Sequence, residues 1–258
     1  MFNIPDDLIS MDQNALVPTP TGYSLLDEYL CGGLNSEGLT VVCASSAGGK
    51  TVFMMNIALN MAKQGLPILH IPLEQKYEVV WDRYKELAAG ECDREVALSK
   101  IFIQQGRVLM NADTVDSMIK QYIHIHNAKP AIVVIDFLDL MNTIEGEQEY
   151  NPDKNIRIMI ELDKILSGYG IMGLTAVSMN RKGYYEMEQD DFSGEAKCIH
   201  MRNTPKTCIA VNVDHNSNKF HVYLAFSRHG GSNEHVYLNF NPYTARILDS
   251  SHKSLPNI

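Results

Sequence analysis

Leu39-Thr40-Val41-Val42-Cys43-Ala44-Ser45-Ser46-Ala47-Gly48-Gly49-Lys50-Thr51 is the stretch on which the reading of the fold turns. Its first six residues are apolar or β-branched and read as a buried strand. The next segment, Ser45 to Gly49, holds only small residues. A backbone free of bulk can wrap closely round an anion and turn its N–H groups inward. From Thr51 to Gln64, apolar Phe53, Met54, Ile57, Ala58 and Met61 recur at helical spacing. Gly65 ends the helix, and Pro67 soon after fits that stop. A strand, a tight small-residue loop and a helix N-terminus together make a phosphate site, because the helix dipole favours negative charge there. Ala44, Ser45, Ser46, Ala47, Gly48, Gly49, Lys50 and Thr51 follow the spacing of the Walker A loop, with Ala44 where the first glycine usually stands. Lys50 is expected to reach the β- and γ-phosphates of ATP, and Thr51 to put its hydroxyl on Mg²⁺.

On either side of this loop, strands alternate with helices. Ile68–Leu73 reads as a strand and 76–89 as a helix. Thr114–His126 is an amphipathic helix, with Val115, Met118, Ile119, Tyr122 and Ile123 on one face. Ala131–Asp136 is an all-apolar strand ending in an acid. A helix opens at Asn151-Pro152 and runs to about Ser167, where Gly168 and Gly170 stop it. Gly173–Ser178 is a further buried strand, and 179–206 a long polar loop region. Four strand-like runs follow: Thr207–Val213, His221–Ser227, His235–Phe240 and Ala245–Leu248. The expected fold is therefore α/β, built round a P-loop that binds nucleotide. Its mainly parallel central sheet carries helices on both faces and antiparallel strands at the C-terminal end. Residues 1–20 read as an N-terminal arm and 21–258 as one ATPase domain.

The bulk numbers fit that picture. The chain has 258 residues, 45% hydrophobic and 21% charged, and a formal net charge of −9. Such a balance disfavours a surface that is basic all over, while leaving room for a local basic channel. No apolar run approaches the ~18 residues that a membrane span needs. The N-terminus lacks the basic-then-apolar pattern of a signal peptide. Five cysteines without a CxxC pair read as reduced thiols in a cytosol-like compartment. Cys198 and His200 have no second ligand pair at zinc spacing, so they read as unrelated strand-flank residues.

Two acids complete the expected site. Asp136 ends its strand in Ile-Asp-Phe-Leu-Asp-Leu-Met, the Walker B arrangement that turns a carboxylate towards the Mg²⁺ shell. Glu74 ends Ile68–Leu73. That strand, set beside the P-loop strand, would bring the carboxylate near the γ-phosphate, where it can orient and deprotonate water. Asp139 reads equally as a solvated turn residue or a polar contact of the site.

Thr21-Gly22-Tyr23-Ser24-Leu25-Leu26-Asp27, Gly32-Gly33-Leu34 and the phosphate loop together resemble the opening of RecA-like ATPases, among them the KaiC, RadA and DnaB groups. Pro72-Leu73-Glu74 resembles the Ser-Leu-Glu of DnaB-type replicative helicases. Ile135-Asp136-Phe137-Leu138-Asp139-Leu140-Met141 is similar to their Ile-Asp-Tyr-Leu-Gln-Leu-Met. Arg228-His229-Gly230-Gly231, followed by Leu238-Asn239-Phe240-Asn241, resembles their closing Arg-Asn-Gly-Pro and Leu-Thr-Phe-Asn. The resemblance covers roughly residues 20–250 and lacks the family's N-terminal primase-binding domain. It implies an ATP-dependent helicase motor, a homo-oligomeric hexameric ring on single-stranded DNA, a primase or loader as partner, and Arg228 as an arginine finger reaching a neighbour's ATP. The alternatives are a RecA- or RadA-like recombination ATPase, and a nucleotide-switched loader or regulator with little turnover.

Three positions depart from the family pattern. Phe226 stands where a basic residue precedes the finger, Asp139 replaces the glutamine after the Walker B strand, and Ser178 occupies the place of the sensor glutamine. By resemblance, the loops after Ser178 line the DNA channel. They carry Arg181, Lys182, Lys197, Arg202 and Lys206 with Tyr184 and Tyr185, a mixture suited to phosphate contact and base stacking. Glu186, Glu188, Asp190, Asp191 and Glu195 share the segment, so a solvated loop is the competing reading.

Overall fold

The structure, a computed structural model, describes residues 18–106, 109–143, 152–179 and 205–249. In chain order these form α1 (Ser24–Tyr29), β1 (Gly38–Ala44), α2 (Lys50–Lys63), β2 (Ile68–Pro72), α3 (Tyr77–Leu87), α4 (Arg94–Leu98), β3 (Ile101–Ile103) and α5 (Ala112–His126). Then come β4 (Ile132–Asp136), a 3-10 turn (Leu138–Leu140), α6 (Pro152–Tyr169), β5 (Met172–Ser178), β6 (Thr207–Asp214), β7 (Lys219–Ser227), β8 (Glu234–Asn241) and β9 (Arg246–Leu248). The sheet runs β3-β2-β4-β5-β1-β6-β7-β8-β9. It is parallel from β3 through β6 and antiparallel from β6 to β9, as expected.

Alternation along each strand divides the core in two. Val42 and Ala44 of β1 join Ile132 and Val134 of β4 on the face covered by α2 and α3. Leu39, Val41 and Cys43 join Val133 and Ile135 on the face covered by α5 and α6. Helix α2 is buried nearly all round, from Phe53 to Ala62, which accounts for its run of methionines and leucine. Helix α5 starts where the Asn111 side chain accepts from the Thr114 backbone N–H at 2.9 Å, and it stops at Asn127 in the left-handed region.

Three short elements, α1, α4 and β3, add to the sequence reading. The sheet order also corrects one expectation. Strand β2 does not lie beside β1, because β4 and β5 stand between them. Cys31 and Cys92 are free thiols and the Cys208 sulfur lies 3.9 Å from that of Cys43, whereas Cys43 is disulfide-bonded, against the expectation of reduced thiols. The sequence round a cysteine does not say which sulfur folding will bring alongside. Among the described residues no helix is long and apolar enough to cross a membrane. Residues 1–17 of the arm, Asn151, Cys198 and His200 lie outside the described residues, and Thr19 pairs with Leu34.

Candidate nucleotide site

The loop between β1 and α2 is shaped by its small residues. Ala47 and Gly49 both take positive φ, 60° and 93°. A Cβ on Gly49 would lie 2.7 Å from the Phe220 ring, so the position requires glycine twice over, for conformation and for space. Ala44 is wholly buried and its methyl group packs towards Gly48, where an added Cβ would stand 2.9 Å away. The methyl at the first position is thus accommodated because Gly48 has none. Lys50 folds back over the loop, donating to the carbonyls of Ala44 at 3.2 Å and Ser45 at 3.1 Å.

The same alternation that divides the core aims Asp136 at the phosphate loop. Ile132 and Val134 face α2, so Asp136, two further on, faces it too. Helix α2 lies on this face, and its first turn meets β4. The Thr51 hydroxyl lies 3.1 and 2.9 Å from the two Asp136 carboxylate oxygens. Asp136 is only 2% exposed. Burial pushes its pKa up to about 6, opposed by the Thr51 hydrogen bond and by the charges of Lys50 and Arg83, while Glu74 adds to the rise. Burial pulls the Lys50 ammonium down, and the charges of Asp139, Asp136 and Glu74 hold it up.

Glu74 reaches the site by a different route from the one expected. Strand β2 pairs with β4 in the register Pro72 to Asp136, and the Leu73 N–H donates to the Asp136 carbonyl at 2.7 Å. The chain leaving β2 therefore starts level with Asp136, and Glu74 joins Gly48, Gly49, Lys50, Thr51, Phe137 and Ser178 around one cavity of about 290 Å³. Ser45 and Ala44 flank it, while Ser46 and Ala47 contribute to its wall. Thr51 and Asp136 offer hard oxygen donors side by side, a set that suits Mg²⁺, which is held through few protein ligands plus phosphate and water.

Other residues stand elsewhere. Arg228 follows β7, is exposed, and its N–H donates to the Lys206 carbonyl at 2.9 Å; it does not line this cavity. The Lys206 stem lies where a Cβ on Gly38 would fall, at the start of β1 and so at the opposite edge of the sheet from the phosphate loop. Arg181, Lys182, Tyr184, Tyr185, Lys197 and Arg202 lie outside the described residues. Asp139 is neither a loose turn residue nor a lining group: it accepts from the Asn155 amide at 2.7 Å and the Ser178 N–H at 2.8 Å. Sequence reading missed Arg83 and Phe137. For Arg83 the one signal was a cation on α3 nine positions past Glu74.

Residues 19–181 match the family described as DnaB-like helicase C terminal domain. This chain belongs to that family. The DnaB-like chain also resembles the DNA repair protein RadA of Mycolicibacterium smegmatis, 24% identical over 148 residues, covering 54% of this chain and 27% of that protein. RadA of Mycobacterium tuberculosis is 23% identical over 138 residues, 54% of this chain and 26% of that one. The DnaB-like chain thus spans about a quarter of the length of these curated relatives. Among solved structures it superimposes on one described as an ATPase domain with a TM-score of 0.74, at 17% identity, over 95% of each chain. A DnaB-like replicative helicase, described with its interactions with primase, gives a TM-score of 0.74 at 17% identity, over 96% of this chain and 67% of that one. At that identity the two structures speak for the fold alone, the RecA-like α/β arrangement described above.

Proposed function

We propose that this chain is the ATP-hydrolysing motor of a DnaB-type DNA helicase, moving along single-stranded DNA during replication. The observation that carries the proposal is the Thr51 hydroxyl on the Asp136 carboxylate, at a cavity walled by the phosphate loop and Glu74. In this reading the N–H groups from Ser45 to Gly49 cradle the phosphates. Lys50 swings from the Ala44 and Ser45 carbonyls onto the β- and γ-phosphates. Thr51 and Asp136 would hold Mg²⁺. Magnesium, when bound with the nucleotide, would neutralise the charge that develops on the phosphates. Glu74 orients the attacking water and takes its proton.

Arg228 serves the ATP of a neighbouring copy, which suits its exposure away from its own cavity. A hexameric ring would gather the basic residues Arg181, Lys182, Lys197 and Arg202 round the strand. Residues 21–258 form the motor, with residues 1–20 as an arm. Primase or a loader is the expected partner, in bacterial or virus-infected cytoplasm; family membership and the primase-binding neighbour support this.

The test is ATP turnover with and without single-stranded DNA, with displacement of an annealed strand measured alongside. DNA-stimulated turnover with displacement is the expected result. Stimulation without displacement would favour a recombination ATPase, the reading to which the RadA similarity points. Tight nucleotide binding with negligible turnover would make the chain a nucleotide-switched loader or regulator.

A further inference from the structure

We propose that Asp139 is a positioning residue of the nucleotide site: its carboxylate pins the end of β5 and the first turns of α6 to the exit of β4, and so sets the cavity wall at Ser178. The inference rests on the nucleotide-site reading above and deepens it.

Asp139 sits in the 3-10 turn that begins two residues after Asp136. A carboxylate offers only acceptors, on two separate oxygens. Here each oxygen takes one donor from a different element. Oδ1 accepts from the Asn155 Nδ2 of α6 at 2.7 Å, and Oδ2 accepts from the Ser178 N–H of β5 at 2.8 Å. Asn155 is itself 5% exposed, so this end of the bridge is out of water. Ser178 is the last residue of β5, stands in register with Ala44 at the root of the phosphate loop, and lines the cavity together with Lys50. Met179, next along, donates to the Ala44 carbonyl at 2.8 Å. One side chain therefore ties the Walker B strand, the P-loop strand's neighbour and a helix of the far face into a single frame.

Asp139 also acts on Lys50 through space. Among the three carboxylates that hold the ammonium charged, its contribution is the largest. Geometry and charge can be separated by substitution. Asp139→Asn removes the charge yet keeps both contacts, because its oxygen accepts from Ser178 and its NH₂ donates to an Asn155 amide turned over. Asp139→Ala removes both.

The experiment is steady-state ATP hydrolysis and binding of a fluorescent ADP analogue by wild type, Asp139→Ala, Asp139→Asn and Asn155→Ala, each checked for folding by circular dichroism. Asp139→Ala is expected to lose ~10- to 100-fold in kcat, the scale of a misplaced reacting group, with KM little changed. Asp139→Asn is expected to recover kcat to within ~3-fold of wild type and to bind the analogue roughly 3-fold tighter, since a weak charge opposing phosphate is gone. Asn155→Ala, which cuts one contact only, should fall between them and covers the case in which Asp139→Ala does not fold. Wild-type kcat in folded Asp139→Ala or in Asn155→Ala would overturn the proposal, as would Asp139→Asn as slow as Asp139→Ala. A wild-type chain that neither binds the analogue nor hydrolyses ATP would overturn the nucleotide-site reading itself.

Discussion

Asp136 concentrates the conflict between stability and chemistry into one side chain. A carboxylate buried to 2% exposure, with Thr51 as its hydrogen-bond partner and Glu74 adding negative charge, titrates near 6, well above the ordinary 3.8. A raised acid pKa means that the folded state binds the proton more tightly than the unfolded chain. The ionised carboxylate therefore costs stability above about pH 6, and the cost fades as pH falls from there towards 3.8. Asp136→Asn removes it. The variant is expected to unfold at a higher temperature than wild type at pH 8, by an amount worth roughly 1–3 kcal/mol, and to show almost no difference near pH 4. Thermal unfolding of both proteins across that range checks the sign. If Asp136 holds Mg²⁺ as proposed, the same substitution should also abolish Mg²⁺-dependent nucleotide binding. In wild type that binding should weaken as pH drops through about 6.

At the scale of elements, what the sequence revealed followed the length of the signal. Helices α2 and α5 carry three or four turns of apolar periodicity, and β6, β7 and β8 run for eight or nine residues each; these were readable. Ile101-Phe102-Ile103 and Arg94–Leu98 are too short to show a period, and only the sheet edge and the packing against α2 make them elements. Strand order was unreadable for a different reason. Nothing in Ile68–Pro72 says that β4 and β5 will be inserted between it and β1. Glu74 still arrives at the site, because the pairing of Pro72 with Asp136 levels the ends of β2 and β4.

The β9 segment is tied to α2 by one buried amide that no pattern would single out. Asn56 of α2 donates to the Val52 carbonyl at 2.8 Å and the Ala245 carbonyl at 3.0 Å, and accepts from the Ile247 N–H at 3.0 Å. Asn56→Leu strands a buried donor and acceptor of the β9 segment, each costing ~1–3 kcal/mol when unpaired. A loss of about 2–4 kcal/mol in urea unfolding is expected; a loss below ~0.5 kcal/mol would show that the clamp contributes little. At the other end of α2, Gly49→Ala must force a methyl group against Phe220 in a left-handed backbone, and nucleotide binding should fall with stability.

For the whole molecule, the arrangement separates the groups that meet in one copy from one that stands apart. Lys50, Thr51, Glu74 and Asp136 converge within a single chain, whereas Arg228 leaves β7 away from that cavity. If Arg228 completes a neighbour's site, mixing Arg228→Ala with wild type should depress ATP turnover more steeply than in proportion to the mutant fraction. A proportional decline would confine its role to its own chain. The spatial convergence of Lys50 and Asp136 was legible from motif spacing and strand alternation, while the bridging of Asp139 to Ser178 was not, since it joins residues 39 apart through a turn. The account stands or falls on whether the converged groups hydrolyse a magnesium nucleotide. The most direct measurement is Mg²⁺-dependent ATP turnover by Glu74→Gln beside wild type, with nucleotide affinity measured on the same preparations. The prediction is wild-type turnover, a fall of ~10²–10⁴-fold in Glu74→Gln, and nucleotide affinity essentially retained. Equal turnover in the two proteins would contradict it.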